Sequence, residues 1–552
     1  MSGMESLRAR LLGPSPATLS RSHRVAWVGI LLATLVGGVL RMIRLGHPTR
    51  LVFDETYYVK QAWSLRLYGH EREILEGLEH PDELFTNGTV EVWGNEPDLV
   101  VHPPVGKWMI ALGQMLWGPE SPFSWRFSAA LVGTLSILLI GHVAWLLWKN
   151  ALLAVAAATL LAVDGHHFVQ SRIGLLDIFV MWWALVAFWF LLLDREHGRR
   201  RLAARWGPWW ARQEAKPPIP AGGRHVLVRW WRRQRRLARR IHRAWGPSLG
   251  VRWWRLAAGV SLGLCTGTKW SGLYFLAVFG LMTVWWDLGA RRAAGARGWV
   301  GGTVVRDGIP AFLLMVPTAL VTYVASWAGW FATDGGWKRH WAVDNPAPEG
   351  SLAALVPDPL RSLWAYHVEM MTFHVGLQNE HKWSSNPWSW TVQWRPTLFY
   401  AEWPKHGEKG CEVAECVDYI ASLGNVFVWW GATLGMLVVA FLWLLGRDWR
   451  AGAALSGVIA GWLPWFLYQT RTIYSFYAVA FVPWLVLVVV CCLGLVLGRA
   501  DDPPRRRRWG AVAVVVYLTL AVAWFAWYYP VHAAVVIPRD QWHLRMWFDF
   551  WT

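Results

Sequence analysis

Apolar runs long enough to cross a bilayer alternate along the chain with tight polar turns and two long polar stretches. The first run, 25–43, covers most of a ~30 Å hydrocarbon core at about 1.5 Å per helical residue. Runs at 126–147, 151–168 and 175–193 follow. The apolar stretch 256–288 is too long for one crossing and is broken by Thr266-Gly267-Thr268-Lys269-Trp270-Ser271-Gly272, so it predicts two spans with an outward turn at Lys269. With runs at 309–330, 426–445, 453–467, 474–497 and 511–529, the pattern predicts an all-α polytopic membrane protein of about eleven helices.

The polar stretches then become two large external loops, 46–125 and 332–425. The first opens with residues 55–68, an amphipathic helix ending at Gly69. Its segment 107–117 follows Pro103 and Pro104 and is too short to span, which predicts a re-entrant or surface-lying helix. The expected organisation is a cytoplasmic N-terminus (1–24), an N-terminal transmembrane module (25–193), a basic cytoplasmic loop (194–255), central helices (256–331), the second external loop (332–425), C-terminal helices (426–530) and an external tail (531–552). Within the basic loop, Pro217-Pro218-Ile219-Pro220 and Gly222-Gly223 read as breaks.

Composition agrees with this pattern: hydrophobic residues make up 55% of the chain and charged ones only 16%. The net charge of +18 would suit a nucleic-acid partner, but the arginines sit in short segments flanking apolar runs, the pattern that fixes topology. Arg8, Arg10, Arg21 and Arg24 precede the first run, which lacks a cleavage site and reads as a retained signal anchor. Arginines at 195–255, 291–306, 447–450 and 505–508 mark the same side. Much of the excess of 46 Trp is explained by anchoring at the two interfaces. Cys265, Cys491 and Cys492 lie in apolar runs as inert small hydrophobes. Cys411 and Cys416 share an external loop, where an oxidising compartment predicts a disulfide.

On the side opposite the arginine clusters fall Asp54, His102, Lys107, Arg172, Lys269, His367 and Arg471. Transporters keep ionisable groups near the bilayer midplane; groups gathered at one surface suit an enzyme acting at headgroup level. Asp54 and Glu55 stand just beyond the first span. Asp54 can be read as a helix N-cap or as a base, and both readings stay open at this point. Carboxylates beside cations at that surface point to chemistry on a phosphate-bearing lipid: cations neutralise phosphate, and a carboxylate takes a proton from an acceptor hydroxyl.

Phe53-Asp54-Glu55, His102-Pro103-Pro104-Val105-Gly106-Lys107, Trp125-Arg126-Phe127, Arg172 with Leu175-Leu176-Asp177, and Lys269-Trp270-Ser271-Gly272-Leu273 occur in that order. Tyr366-His367, Phe373-His374-Val375-Gly376-Leu377, Ser385-Asn386-Pro387-Trp388-Ser389-Trp390, Gly424-Asn425 and Met546-Trp547-Phe548 follow. Together these motifs resemble the protein O-mannosyltransferases over nearly the whole chain, in their bacterial, actinobacterial-type branch. The loop 333–424 is too short for the trefoil-like domain of eukaryotic members.

The resemblance implies a C-type glycosyltransferase fold in the bacterial plasma membrane, with the catalytic face and the C-terminus external. It implies a polyprenyl-phosphate mannose donor, an unfolded exported polypeptide offering Ser or Thr as acceptor, and the secretion translocon as a candidate partner. Asp54 is then the general base and Glu55 orients the acceptor or a cation. His102, Lys107 and Arg126 are expected at the donor phosphate, with Arg172 and Lys269 behind them; His367, Asn386 and Trp390 are expected at the acceptor or sugar. Several cations around a phosphate leaving group require no metal or other cofactor. Two rivals stand beside this reading: a related C-type transferase acting on a lipid or wall glycan, and a transporter or flippase.

Overall fold

Each apolar run is helical, because a backbone in hydrocarbon must satisfy its own N–H and C=O groups. The computed structural model describes residues 3–12, 20–216, 219 and 225–552. Pro217, Pro218, Pro220, Gly222 and Gly223, read above as breaks, lie outside the described residues. Among the described residues eight helices are long and apolar enough to cross a membrane. Three shorter ones, Ala151–Ala162, Trp253–Thr268 and Trp449–Gly461, bring the total to the expected eleven.

At the centre lies Val482–Leu497, whose residues from Val482 to Val490 are almost wholly inaccessible. It packs against Ala151–Ala162, Val426–Leu444, Trp449–Gly461 and Pro504–His532. Close approach depends on small residues: a Cβ on Gly457 would stand 1.9 Å from the Trp484 ring. Around the outside, Ser20–Met42, Trp299–Ser326 and Pro504–His532 leave most of their apolar surface uncovered, the surface lipid would contact.

The first long loop carries Glu55–Tyr68 and Val105–Trp117. The second carries Asp358–Gly376 and a small sheet in which Leu398–Glu402 pairs antiparallel with Cys416–Ala421. The latter strand also pairs with Ile537–Pro538, so the C-terminal tail is stitched to the second loop. A second, two-stranded sheet joins Arg72–Ile74 to Trp93–Pro97. Cys411 and Cys416 form a disulfide, with Cα atoms 5.8 Å apart. Among the described residues, the sheets are confined to the two long loops and the C-terminal tail.

The basic segment 194–255 differs from the loop that was expected. The helix beginning at Asp177 continues through it to Glu214 with Pro208 inside, and a second helix occupies Val226–Trp245. Arg, Ala, Leu and Glu are good helix formers, so charge alone does not end a helix. Where this segment re-enters the bundle, Arg252 bonds Asp194 (2.9 Å) and Asp287 (2.8 Å), while Arg255 bonds Asp194 (3.0 Å). Arg291 is paired with Asp307 nearby.

Candidate active site

Asp54 is set out by a strained turn. Phe53 has a left-handed backbone, φ 50°, which a bulky L-residue adopts at a cost of about 1–2 kcal/mol. Its ring is held among Phe399 (5.3 Å), Tyr474 (5.6 Å), Phe476 (5.6 Å) and His381 (5.8 Å), edge to face. Asp54 follows at the N-cap position of Glu55–Tyr68, yet its side chain makes no capping hydrogen bond. Half-buried, its carboxylate lies 3.5 Å from the Tyr58 hydroxyl. Burial, opposed by the charge of Lys269, pushes the Asp54 carboxyl up to about 6.

Glu55 has the opposite environment. It is fully buried, and Arg126 grips it with two parallel N–H bonds of 2.8 Å. The backbone N–H groups of Gly174 (2.7 Å) and Val52 (3.1 Å) also donate to it. The remaining donors of Arg126 reach the carbonyls of Leu45, Pro48 and Arg50, so all five of its N–H groups are engaged. Arg126, expected at the phosphate, and Glu55, expected at the acceptor, are instead bonded to each other in this structure. This pair ties the 45–55 turn to the helix Pro122–Trp148 and has no donor or open surface left for substrate.

Other expected cations are also engaged. Arg172 donates to the carbonyls of Leu40, Arg41, Ile43 and Arg44, closing the frayed end of the first span rather than facing phosphate. Lys107 is buried against Glu71 and the His102 carbonyl (3.0 Å), which corrects its placement at phosphate too. Lys269 is 2.7 Å from Asp177 and lies 5.0 Å above the Tyr477 ring. Its charge is felt at Asp54 and at His102.

His102 does lie in this cluster. Burial, then the charges of Lys269, His374, Arg471 and Lys107, hold its imidazole well below the ordinary range, so it is neutral. Its ring stands 5.1 Å from that of His374 and 6.0 Å from Tyr58. His374 donates from Nε2 to the Val101 carbonyl (2.7 Å), and its Nδ1 accepts from Arg471 (3.1 Å). The Nε of Arg471 is buried with no partner in the protein. Arg471 also lines a cleft of about 220 Å³ with Asn379, Ser385, Asn386, Gln469 and Thr470.

Asn386 reaches that cleft, where it donates to Gln469 (3.0 Å). Trp390 and His367 do not serve as expected. Trp390 is buried, bonded to Ser385 and packed against Trp465. His367 donates to the Leu363 carbonyl and meets the Tyr323 hydroxyl with its other nitrogen, leaving neither for a ligand.

The arrangement is thus a carboxylate without a cationic partner in contact, at the loop-covered end of the bundle and within the field of Lys269, a neutral imidazole under the charges of Lys269 and Arg471, and an open polar cleft. It can accept a proton from a hydroxyl and stabilise an anion nearby. Sequence reading passed over His374 as a site residue, although it lies in a quoted motif, and left Arg471 in the external set without a role. The aromatic nest around Phe53 carried no sequence signal.

Residues 31–211 match the profile of the family described as dolichyl-phosphate-mannose-protein mannosyltransferase. Residues 359–551 match the C-terminal four-TMM region of protein-O-mannosyltransferase. A polyprenol-phosphate-mannose–protein mannosyltransferase of Mycobacterium tuberculosis is 34% identical over 95% of this chain and 92% of its own length. Its Mycolicibacterium smegmatis namesake is also 34% identical, over 98% of this chain and 97% of its own. The fold is similar to that of a chain in the S. cerevisiae protein O-mannosyltransferase Pmt1-Pmt2 complex bound to the sugar donor. The TM-score is 0.66 at 13% identity, covering 96% of this chain and 92% of that one.

Proposed function

Because the chain belongs to the protein O-mannosyltransferase family, we propose that Asp54 is the general base of a mannosyl transfer to Ser or Thr hydroxyls of exported polypeptides. The protein is a membrane glycosyltransferase of the C-type fold, using polyprenol-phosphate mannose as donor and protein as acceptor. In the proposed step the Asp54 carboxylate takes the hydroxyl proton. The acceptor oxygen attacks the anomeric carbon from the face opposite the phosphate, forming the new C–O bond as the bond to phosphate oxygen breaks. Polyprenyl phosphate leaves, and a β-linked donor gives an α-mannoside.

The observation that carries this assignment is a carboxylate without a cationic partner in contact: Asp54 stands at a cap position without capping, with only the Tyr58 hydroxyl at 3.5 Å, and feels the charge of Lys269, which with Arg471 also acts on neutral His102. We assign the developing phosphate charge to Arg471 and Lys269, with His102 as a neutral N–H donor. Arg126, Glu55, Arg172 and Lys107 position the turn and the helices around it. The arginine-rich ends opposite Asp54 support a cytoplasmic N-terminus and an external catalytic face in the bacterial plasma membrane.

The test is to incubate purified protein with radiolabelled polyprenyl-phosphate mannose and a Thr-rich peptide. Label should enter the peptide and be released by α-mannosidase. Label confined to lipid or glycan acceptors would overturn the acceptor assignment, and donor movement across the bilayer without transfer would overturn the reaction.

A further inference from the structure

The helix Val226–Trp245 takes no part in the site, yet it is the most strongly two-faced element of the chain. It holds eight arginines and no acidic residue. At about 100° per residue, its apolar side chains other than Val228 fall in one sector of about 140° and its arginines in the opposite one. The apolar sector is bare: Leu227 is 79% exposed, Trp230 58% and Leu237 51%, with Val226, Trp231 and Ile241 exposed beside them. Among the half-covered residues, Arg232, Arg236, Arg239 and Arg243 lie on the arginine side, and only Ala244 and Trp245, at the anchored C-terminal end, lie on the apolar side. Before its last turn, the helix therefore turns its charged side toward its own protein and its apolar side away. That is the reverse of a helix packed on a soluble core.

Its position is fixed at one end. Asp177–Glu214, which starts beside the active site, is about 57 Å long, so it passes through the bilayer and projects well beyond the opposite face. Arg243 bonds the Gln213 carbonyl near the end of that projection, and His242 meets Arg306 at 2.7 Å. Trp245 packs on Gly298, Gly301 and Gly302. Those glycines border or open Trp299–Ser326, a stretch apolar enough to cross the membrane, in which Val300 and Val304 are exposed. The C-terminal end of Val226–Trp245 is thus held at the depth where a span enters the bilayer, on the face opposite Asp54.

We propose that Val226–Trp245 lies in the plane of the inner leaflet. Its Trp, Leu and Ile side chains sit among acyl chains, and its flanking arginines contact the phosphates of anionic phospholipid. Charge complementarity selects the occupant: a helix with eight arginines and no carboxylate suits an anionic lipid surface, and bare Trp beside Arg is the composition of an interfacial helix. A second copy would bring the same positive charge to the contact.

The test uses the full-length protein in nanodiscs, with Cys265, Cys491 and Cys492 replaced by Ala and a spin label at Leu237→Cys, at Trp231→Cys or at Arg240→Cys. In discs containing phosphatidylglycerol, the labels at 237 and 231 should contact oxygen in preference to a water-soluble nickel chelate, and the label at 240 should show the reverse. In discs of phosphatidylcholine alone, the first two should shift toward nickel contact. Equal contacts in the two discs, whether both high or both low, overturn the proposal. So does dipolar broadening between labels on separate copies. Retained mannosyl transfer identifies the folded preparations, and the two apolar-face labels guard against a local failure at either one.

Discussion

Asp54 and Glu55 are neighbours with opposite surroundings, and the difference assigns their work. Glu55 is buried with four N–H donors upon it, two of them from Arg126, whereas Asp54 is half-buried with only the Tyr58 hydroxyl, at 3.5 Å, upon its carboxylate. Removing one partner of a buried pair leaves a bare charge, at a cost of about 3–5 kcal/mol. Arg126→Ala is therefore expected to lower the thermal midpoint in detergent sharply, and Arg126→Lys should not restore it, since a lysine cannot fill five donor positions. An unchanged midpoint with a raised donor KM would return Arg126 to the phosphate. Asp54 must be ionised to act as base, and its carboxyl titrates at about 6. Transfer should fall as pH drops through about 6 and level off above it; a rate independent of pH there would remove Asp54 from the proton transfer. The sequence displayed the acid pair, but the left-handed turn at Phe53 that aims Asp54 outward depends on aromatic partners some 330 to 420 residues away in the chain, which no local pattern reveals.

At the scale of elements, apolar run length located the spans because hydrocarbon leaves the backbone no alternative. It failed where that constraint ends. The helix from Asp177 runs past its apolar part because arginine favours helix, and the strand Cys416–Ala421 of the second loop takes a second partner from the distant tail. The hairpin of that loop holds the disulfide Cys411–Cys416, whose short separation of five residues limits its effect on the unfolded chain. Replacing both cysteines with Ala should cost about 2 kcal/mol and leave transfer near the wild-type rate. Loss of transfer at unchanged stability would place the hairpin in acceptor binding instead. Both cysteines reacting with maleimide without reductant would reject the bridge.

For the whole molecule, the two ends of the bundle carry different chemistry: paired arginines and carboxylates occur at both, and an open carboxylate beneath two loops at one alone. Leu352, 84% exposed in the second loop, and the basic turn at Arg505 lie on opposite sides in this account. In intact cells, an impermeant thiol reagent should label Leu352→Cys at once and Arg505→Cys only after permeabilisation; the reverse order would invert the topology. The central claim is that Asp54 is the base of mannosyl transfer, and the most direct measurement is kcat/KM for a Thr peptide, wild type against Asp54→Asn, above pH 6 with saturating polyprenyl-phosphate mannose. The account predicts a fall on the order of a hundredfold or more in a protein of unchanged thermal midpoint. Transfer by Asp54→Asn within a fewfold of wild type would contradict it.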